Sequence, residues 1–380
     1  MSVDDVSTSK SARIYAWLRG EFEAERISAG DKLPSENELG LSFKASRPAV
    51  RQAVVRLIHE GLVETVRGVG SFRRKTLPAQ SRDVALVLPS VTSYIYPELA
   101  EAANTAFRER GFNTLFDCTG GDSTVERAVL ENLRARRPAG VVVSPIQRRF
   151  PDAEREADDP ADLRGNLDLL KDLRAAGIFV VLLDNELGDD SFSSIIMDDI
   201  AGGAKAVDHL WSMGHRKIAV AWRPGHAPFE ARRRGALDRL AVLGGTVGPA
   251  AELRVDGKGV ERVEAAVARF IGVRPFPTAF FCANDELALS LAAALAKRGL
   301  RVPEDLSLLG FDDSPLARFG GQPLSSFAYP SRWIGRRAAE LTAEALSGGT
   351  TTARTRICID PVLVKRGSVR APKAKRRSNS

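Results

Sequence analysis

Five consecutive apolar residues, Val84 to Leu88, restrict this chain more than any other feature. A strand with one face in water alternates apolar and polar residues. An unbroken apolar run must instead be covered on both faces, as in a parallel sheet flanked by helices. Similar short runs follow at Thr114–Phe116, Gly140–Val143, Phe179–Leu183, Ile195–Ile196, Ile218–Ala221, Ala279–Cys282 and Leu306–Leu309. Helical patterns fall between most of them, beginning with Leu99 to Arg110, so the fold class from Asp83 onward is α/β and doubly wound.

Ligands collect at the C-terminal strand ends of such sheets. A nucleotide enzyme would use the turn after the first strand, but that turn reads Pro89-Ser90-Val91-Thr92-Ser93, without GxGxxG or GxxxxGK[ST]. There is no G-x-S-x-G elbow either. Dehydrogenase, kinase and hydrolase readings each lack their main residue, and the chain is expected not to be an enzyme and to need no cofactor.

Before Asp83 the pattern differs. Ile14, Leu18 and Phe22 form one apolar helical stripe. Gly30 breaks the chain, and Ser35 with Glu38 has the spacing of a capping box at the start of a second helix. Ser46 can cap a third helix, running to about Glu60, with Val50, Val54, Leu57 and Ile58 inward and Gly61 at its end. Arg47 and Arg51 lie one turn apart in its first half. Leu62–Arg67 and Ser71–Arg73 then read as a hairpin turning at Gly68-Val69-Gly70.

Charge supports a nucleic-acid partner only through its distribution. The formal net charge is +7, but the last sixteen residues carry seven Lys/Arg and no acid. More telling is Lys44–Lys75, with eight basic residues against Glu60 and Glu64. An arginine in the first turn of a helix can reach guanine O6 and N7 in the major groove. A small helical domain with a solvated basic face would show the same spacing.

The run Gly30–Glu36, then Ser46-Arg47-Pro48-Ala49-Val50-Arg51, Gly61-Leu62-Val63 and Arg67-Gly68-Val69-Gly70 resembles the GntR-family winged helix over residues 10 to 75. The resemblance implies Arg47 and Arg51 as base and phosphate contacts, with Arg67, Gly68 and Gly70 in the wing. Ser35, Asn37, Ser46 and Pro48 join them at the DNA-contacting helices, Asn37 standing where some members carry an arginine. Leu39-Gly40 and Ala45 depart from the family's usual residues without removing a contact.

The later segment resembles the LacI-type effector domain, which shares the periplasmic-binding-protein fold. The blocks are Tyr96-Pro97-Glu98-Leu99, Gly177–Asp184, Gly214–Ala219, Asn284–Leu289, Val302–Ser307, Gly310–Asp313, Ile334-Gly335 and Val364-Lys365-Arg366. This implies a two-lobed core of two doubly wound parallel-sheet lobes. Chain crossings are expected near Gly188–Ser193, Asp312-Asp313 and Glu340–Gly349, with a ligand between the lobes. By the same resemblance Tyr96, Asp184, Arg232 and Asp285 contact the effector, and His226 lies in the loop of Arg232. Acceptor carboxylates with a donor guanidinium suit a polyol. Each has a structural alternative: Asp184 and Asp285 as caps, Arg232 as a salt bridge within a lobe, Tyr96 as core. Gly257 replaces a common aromatic, and Gln147–Leu163 is longer and more charged than usual.

The expected organisation is therefore a DNA-binding head (1–75), a linker (76–82) containing Pro78, an effector and dimerisation domain (83–366) and a basic, disordered tail (367–380). Head and core together resemble the arabinose-repressor family. They imply a homodimeric repressor that binds a pseudo-palindromic operator and answers a small sugar-like effector. The polar start, Met1–Lys10, and the absence of long apolar runs point to the cytoplasm and away from a membrane. A transport solute-binding protein and an effector-independent DNA-binding protein are the rival readings. Cys118, Cys282 and Cys358 read as scattered buried thiols, and the four histidines have no ligand spacing, so no metal is expected.

Overall fold

The structure is a computed structural model that describes residues 9–66, 69–73, 81–92, 95–146, 165–257, 259–319, 323–347 and 354–373. The chain divides into two compact units, residues 1–81 and 82–380.

In the first unit, helix α1 (Lys10–Glu23) buries Ile14, Leu18 and Phe22. Helix α2 (Glu36–Ser42) starts with a complete capping box: Glu38 N–H donates to Ser35 Oγ, and Ser35 N–H donates to Glu38 Oε2 at 2.7 Å. Helix α3 (Arg47–His59) has Ser46 at its N-cap, but the hydroxyl makes no capping bond; Pro48 sits in the first turn, where its missing N–H costs nothing. Ile58, expected inward, is exposed, and Ala53 takes its place in the core. Strands β1 (Val63–Val66) and β2 (Gly70–Arg73) pair antiparallel from Val63–Arg73 to Val66–Gly70. Leu33, Leu39, Val50, Val54, Leu57 and Val63 close the core of this head.

The second unit holds two six-stranded sheets. Strands β3 (Asp83–Leu88), β4 (Asn113–Cys118), β5 (Gly140–Val143), β6 (Phe179–Leu183) and β7 (Ser193–Met197) belong to the first lobe, with helices α4 (Tyr96–Glu109), α5 (Ser123–Arg136) and α6 (Leu167–Ala175). Helix α7 (Asp199–Ser212) enters the second lobe. There β8 (Ile218–Trp222), β9 (Glu252–Arg254), β10 (Ala279–Cys282), β11 (Ser307–Asp312) and β12 (Ser325–Ala328) alternate with α8 (Ala227–Val242), α9 (Val260–Phe270), α10 (Asp285–Ala296) and α11 (Pro315–Phe319). Helix α12 (Ser331–Ser347) returns to the first lobe, β13 (Arg356–Ile359) joins β7, and β14 (Val362–Val364) joins β12. The orders are β13-β7-β6-β5-β3-β4 and β14-β12-β11-β10-β8-β9, parallel throughout except for β14. As the unbroken run requires, Val84 to Leu88 are fully buried between helices on both faces.

The three crossings fall elsewhere than expected: at Asp198, at Tyr329-Pro330 and at Asp360-Pro361. For the second and third crossings the shift has a simple origin. Strands β12, β13 and β14 are short and carry Ser, Arg or exposed positions, so their apolar signal is weak, yet they decide which lobe each segment joins.

The contact of α7 with α8 requires glycine on both helices. A Cβ on Gly203 of α7 would lie 1.9 Å from Arg232 O, and one on Gly235 of α8 would lie 2.0 Å from Ile200 O. This close approach seats Arg232 beside Asp199.

The expected tail is folded as far as it is described. Ser368 is buried, bonding Ser325 N–H and Leu308 O, while Arg370 O accepts from His215 Nε2 at 2.9 Å. Residues 366–373 thus pack on the second lobe, where Ser and Arg are held by backbone groups rather than by an apolar pattern. Residues 374–380 lie outside the described residues. Of the cysteines only Cys282 is buried; Cys118 and Cys358 are exposed on the edge strands β4 and β13. No helix among the described residues is long and apolar enough to cross a membrane.

Candidate functional site

In the head, α2 and α3 bring Asn37 and Arg47 together: Arg47 Nη2 donates to Asn37 Oδ1 at 3.2 Å. Arg51 is exposed, with Nε 3.9 Å from Glu36. These loose, solvated pairings hold the two guanidiniums near the first turns of both helices without burying them, which leaves them free to exchange partners. Ser35 serves as the α2 cap. Gly70 has φ +137°, and a Cβ there would meet Lys32 Cε at 2.7 Å. Lys32, not among the expected contacts, therefore lies against the hairpin. Arg67 and Gly68 lie outside the described residues.

The second site is built from strand C-termini in the two-lobed unit. On the first lobe Asp184 follows β6 with φ +64°, a conformation rarely adopted by side-chain-bearing residues and concentrated at functional sites. Its Oδ2 accepts from Ser144 Oγ at 2.7 Å and from Tyr96 Oη at 3.2 Å. Its Oδ1 accepts from Tyr329 Oη, contributed by the second crossing. Burial, then the Asp184 charge, pushes both phenols above their ordinary range, so they remain protonated donors.

On the second lobe Arg232 of α8 is buried. Nε donates to Asp199 Oδ1 at 2.7 Å, Nη1 to Ala283 O at 2.7 Å and to Asp312 Oδ1 at 3.3 Å, with the guanidinium 3.6 Å from the Phe311 ring centre. Burial raises Asp199 to about 6 against the pull of Arg232. Burial also raises Asp312 to about 8 against the same arginine, and the carboxylates of Asp285, Asp199 and Asp184 add to the rise. The Asp184 charge thus acts on groups of the second lobe, and the two clusters share one electrostatic environment.

Of the four expected effector residues, Tyr96 and Asp184 meet directly, and Arg232 belongs to the neighbouring cluster. Asp285 is buried at the start of α10, and its oxygens accept from Ser314 N–H at 2.7 Å and Ser326 Oγ at 2.6 Å, ties that hold β12 and the turn after β11. His226 sits at the N-cap of α8 and packs on Phe229 at 4.4 Å between ring centres. The motif reading missed Ser144, Asp199, Asp312 and Tyr329. Ser144, Asp312 and Tyr329 end or follow β5, β11 and β12, so the strand-end rule applied to every strand would have found them. Buried Trp222 Nε1, Arg223 Nε and Ser314 Oγ, at the ends of β8 and β11, have no hydrogen-bond partner among the described residues. Such donors are costly to leave unmet.

Comparison with known proteins gives the family of each part of the chain. Residues 10–72 match the gntR family of bacterial regulatory proteins, and residues 207–369 match a periplasmic binding protein-like domain. The chain is 31% identical over 291 residues to the HTH-type transcriptional regulator MalR of Streptomyces coelicolor, covering 75% of this chain and 80% of that one. It belongs to the bacterial HTH-type transcription regulators. The arabinose metabolism transcriptional repressor of Geobacillus stearothermophilus is 29% identical over 366 residues, covering 94% of this regulator and 95% of that repressor. A transcriptional regulator CelR–cellobiose complex has the same fold, with TM-score 0.64 and 24% identity, covering 95% of this chain and 100% of that one. The regulator is thus a DNA-binding protein and not an enzyme, and it joins a gntR-type head to a two-lobed, periplasmic-binding-protein-like core.

Proposed function

We propose that the regulator is a cytoplasmic homodimeric repressor of carbohydrate-utilisation genes, released from or tightened on a pseudo-palindromic operator by a small neutral sugar held between the lobes. The observation that carries this reading is Asp184, a carboxylate at a strand end that is held by three neutral hydroxyls. A carboxylate in such a setting accepts from hydroxyl donors, and a sugar is a ring of them. Trp222, Arg223 and Ser314 offer donors to the oxygens of the same ligand. The names of the relatives, which include arabinose and cellobiose, favour this ligand class. In the head, Arg47 and Arg51 supply contacts to bases and phosphates, with Asn37, Ser46 and Pro48 positioning them. A dimer places two such heads on two half-sites.

The test is calorimetry and thermal shift of the full chain with L-arabinose, D-ribose, D-xylose and cellobiose, followed by gel shift on genomic fragments selected by the protein. A sugar present at 100 times its Kd should stabilise the fold by about 2.7 kcal/mol. It should also change retention on the selected DNA. Silence towards every neutral sugar, with DNA binding intact, would return the protein to the effector-independent reading.

A further inference from the structure

Asp184 does not hold its three partners equally. Tyr96 and Ser144 both reach Oδ2, and both are buried parts of the first lobe, one in the first turn of α4 and the other directly after β5. Oδ1 has a partner of another kind. Tyr329 comes from the segment on which the chain passes from β12 in the second lobe to α12 in the first. The two lobe-one donors share a lobe with the carboxylate, whereas Tyr329, buried as well, belongs to the crossing.

We infer that Tyr329 is a built-in stand-in for the effector: in the ligand-free regulator its hydroxyl takes the place on Asp184 Oδ1 that a sugar hydroxyl occupies on binding, and its displacement carries the binding event into the lobe crossing. This rests on the reading of the cleft as a sugar site and adds the means by which that site is regulated.

Three features support it. First, the exchange is balanced in kind, because one neutral O–H donor replaces another and Asp184 keeps its charge and its acceptor role. Second, Tyr329 is wired to the opposite cluster: its N–H donates to Asp312 O at 3.1 Å, and the Asp312 side chain is a partner of Arg232. Third, the segment beyond it is stiff. Ser331 N–H donates to Tyr329 O at 2.8 Å, and α12 follows at once, seated so closely on α4 that a Cβ on Gly335 would lie 2.1 Å from Leu99 O. A ring expelled from Asp184 pulls on a segment that is tied to both lobes. A ligand that binds the two arrangements unequally moves their populations by that difference.

The decisive variant is Tyr329→Phe in the full-length protein, which keeps the ring and removes the competing hydroxyl. With whichever sugar of the panel (L-arabinose, D-ribose, D-xylose, cellobiose) binds the parent, the variant should bind about tenfold more tightly, the scale of one hydrogen bond to a charged group. It should also respond on DNA at a correspondingly lower sugar concentration. Ser144→Ala, which removes a donor that stays in place, should not tighten binding. In the parent protein, hydrogen exchange at the Tyr329 and Ser331 amides should quicken on sugar binding while amides elsewhere in the cleft slow. Unchanged or weaker sugar binding by Tyr329→Phe, or slowed exchange at those two amides, overturns the assignment and leaves the sugar site standing. A parent that binds none of the four sugars overturns the sugar reading and the role of Tyr329 together.

Discussion

Two groups of carboxylates, one in each lobe, solve the same problem of burial in opposite ways. In the first lobe Asp184 and Glu126 are held by neutral donors. Asp184 accepts from three hydroxyls, and Glu126, fully buried on α5, accepts from Asn166 Nδ2 at 2.9 Å and Ile146 N–H at 2.8 Å. In the second lobe Asp199 and Asp312 share the Arg232 guanidinium. Neutral donors can be exchanged for those of a ligand at small net cost. A buried ion pair cannot be opened without stranding a charge. The neutral donors around Asp184 and Glu126 can therefore exchange partners, whereas the Arg232 cluster is fixed.

The comparison is most exposed at Arg232. Arg232→Ala leaves Asp199 buried without its cation, and it should destabilise the two-lobed unit by about 3 to 5 kcal/mol. Urea unfolding followed by circular dichroism would measure this. A loss below about 1 kcal/mol would mean that the cluster is a ligand contact and not a strut.

Glu126 tests the other half. Burial raises its carboxyl to about 7, with Asn166 and Ile146 opposing the rise. A carboxyl whose folded value lies above its unfolded value binds its proton more tightly in the folded state. Its contribution to stability is complete below the unfolded value near 4.5 and is lost as pH rises through about 7. Between pH 5 and pH 8 the parent should therefore lose roughly 2 to 3 kcal/mol relative to Glu126→Gln, with the parent favoured at the acid end. A flat difference across that range would show that Glu126 has a cationic partner in solution, and the contrast between lobes would fail.

The smallest effect belongs to the head, where charges are exposed and paired loosely. Arg51→Ala should leave the melting temperature of the protein unchanged within about 1 °C, because an exposed ion pair contributes little. Operator affinity should fall by about 1 to 3 kcal/mol in a salt-matched gel shift. Equal operator binding by parent and variant would remove Arg51 from the base contacts.

Much of this molecule could be read without its structure, and the reason is locality. The caps, helical stripes and hairpin of the head join residues a few positions apart, so the capping box of Ser35 and Glu38 and the order of the first elements follow from spacing. The unbroken run Val84–Leu88 likewise determined a sheet covered on both faces. The motifs shared with the two families determined the class of protein and made Asp184 and Tyr96 candidates. Tertiary structure alone decided the rest. Tyr329 meets Asp184 across 145 residues, and Arg232 meets Asp312 across 80. No local pattern encodes such pairings, because they exist only after two lobes have folded and the chain has crossed between them. The same holds for Asp285, whose place at a strand end suggested a ligand contact. Its oxygens instead meet Ser314 and Ser326, 29 and 41 residues away, and serve as a brace within the second lobe. Residue type sets what a side chain can donate or accept; only the folded chain decides which partner is within reach.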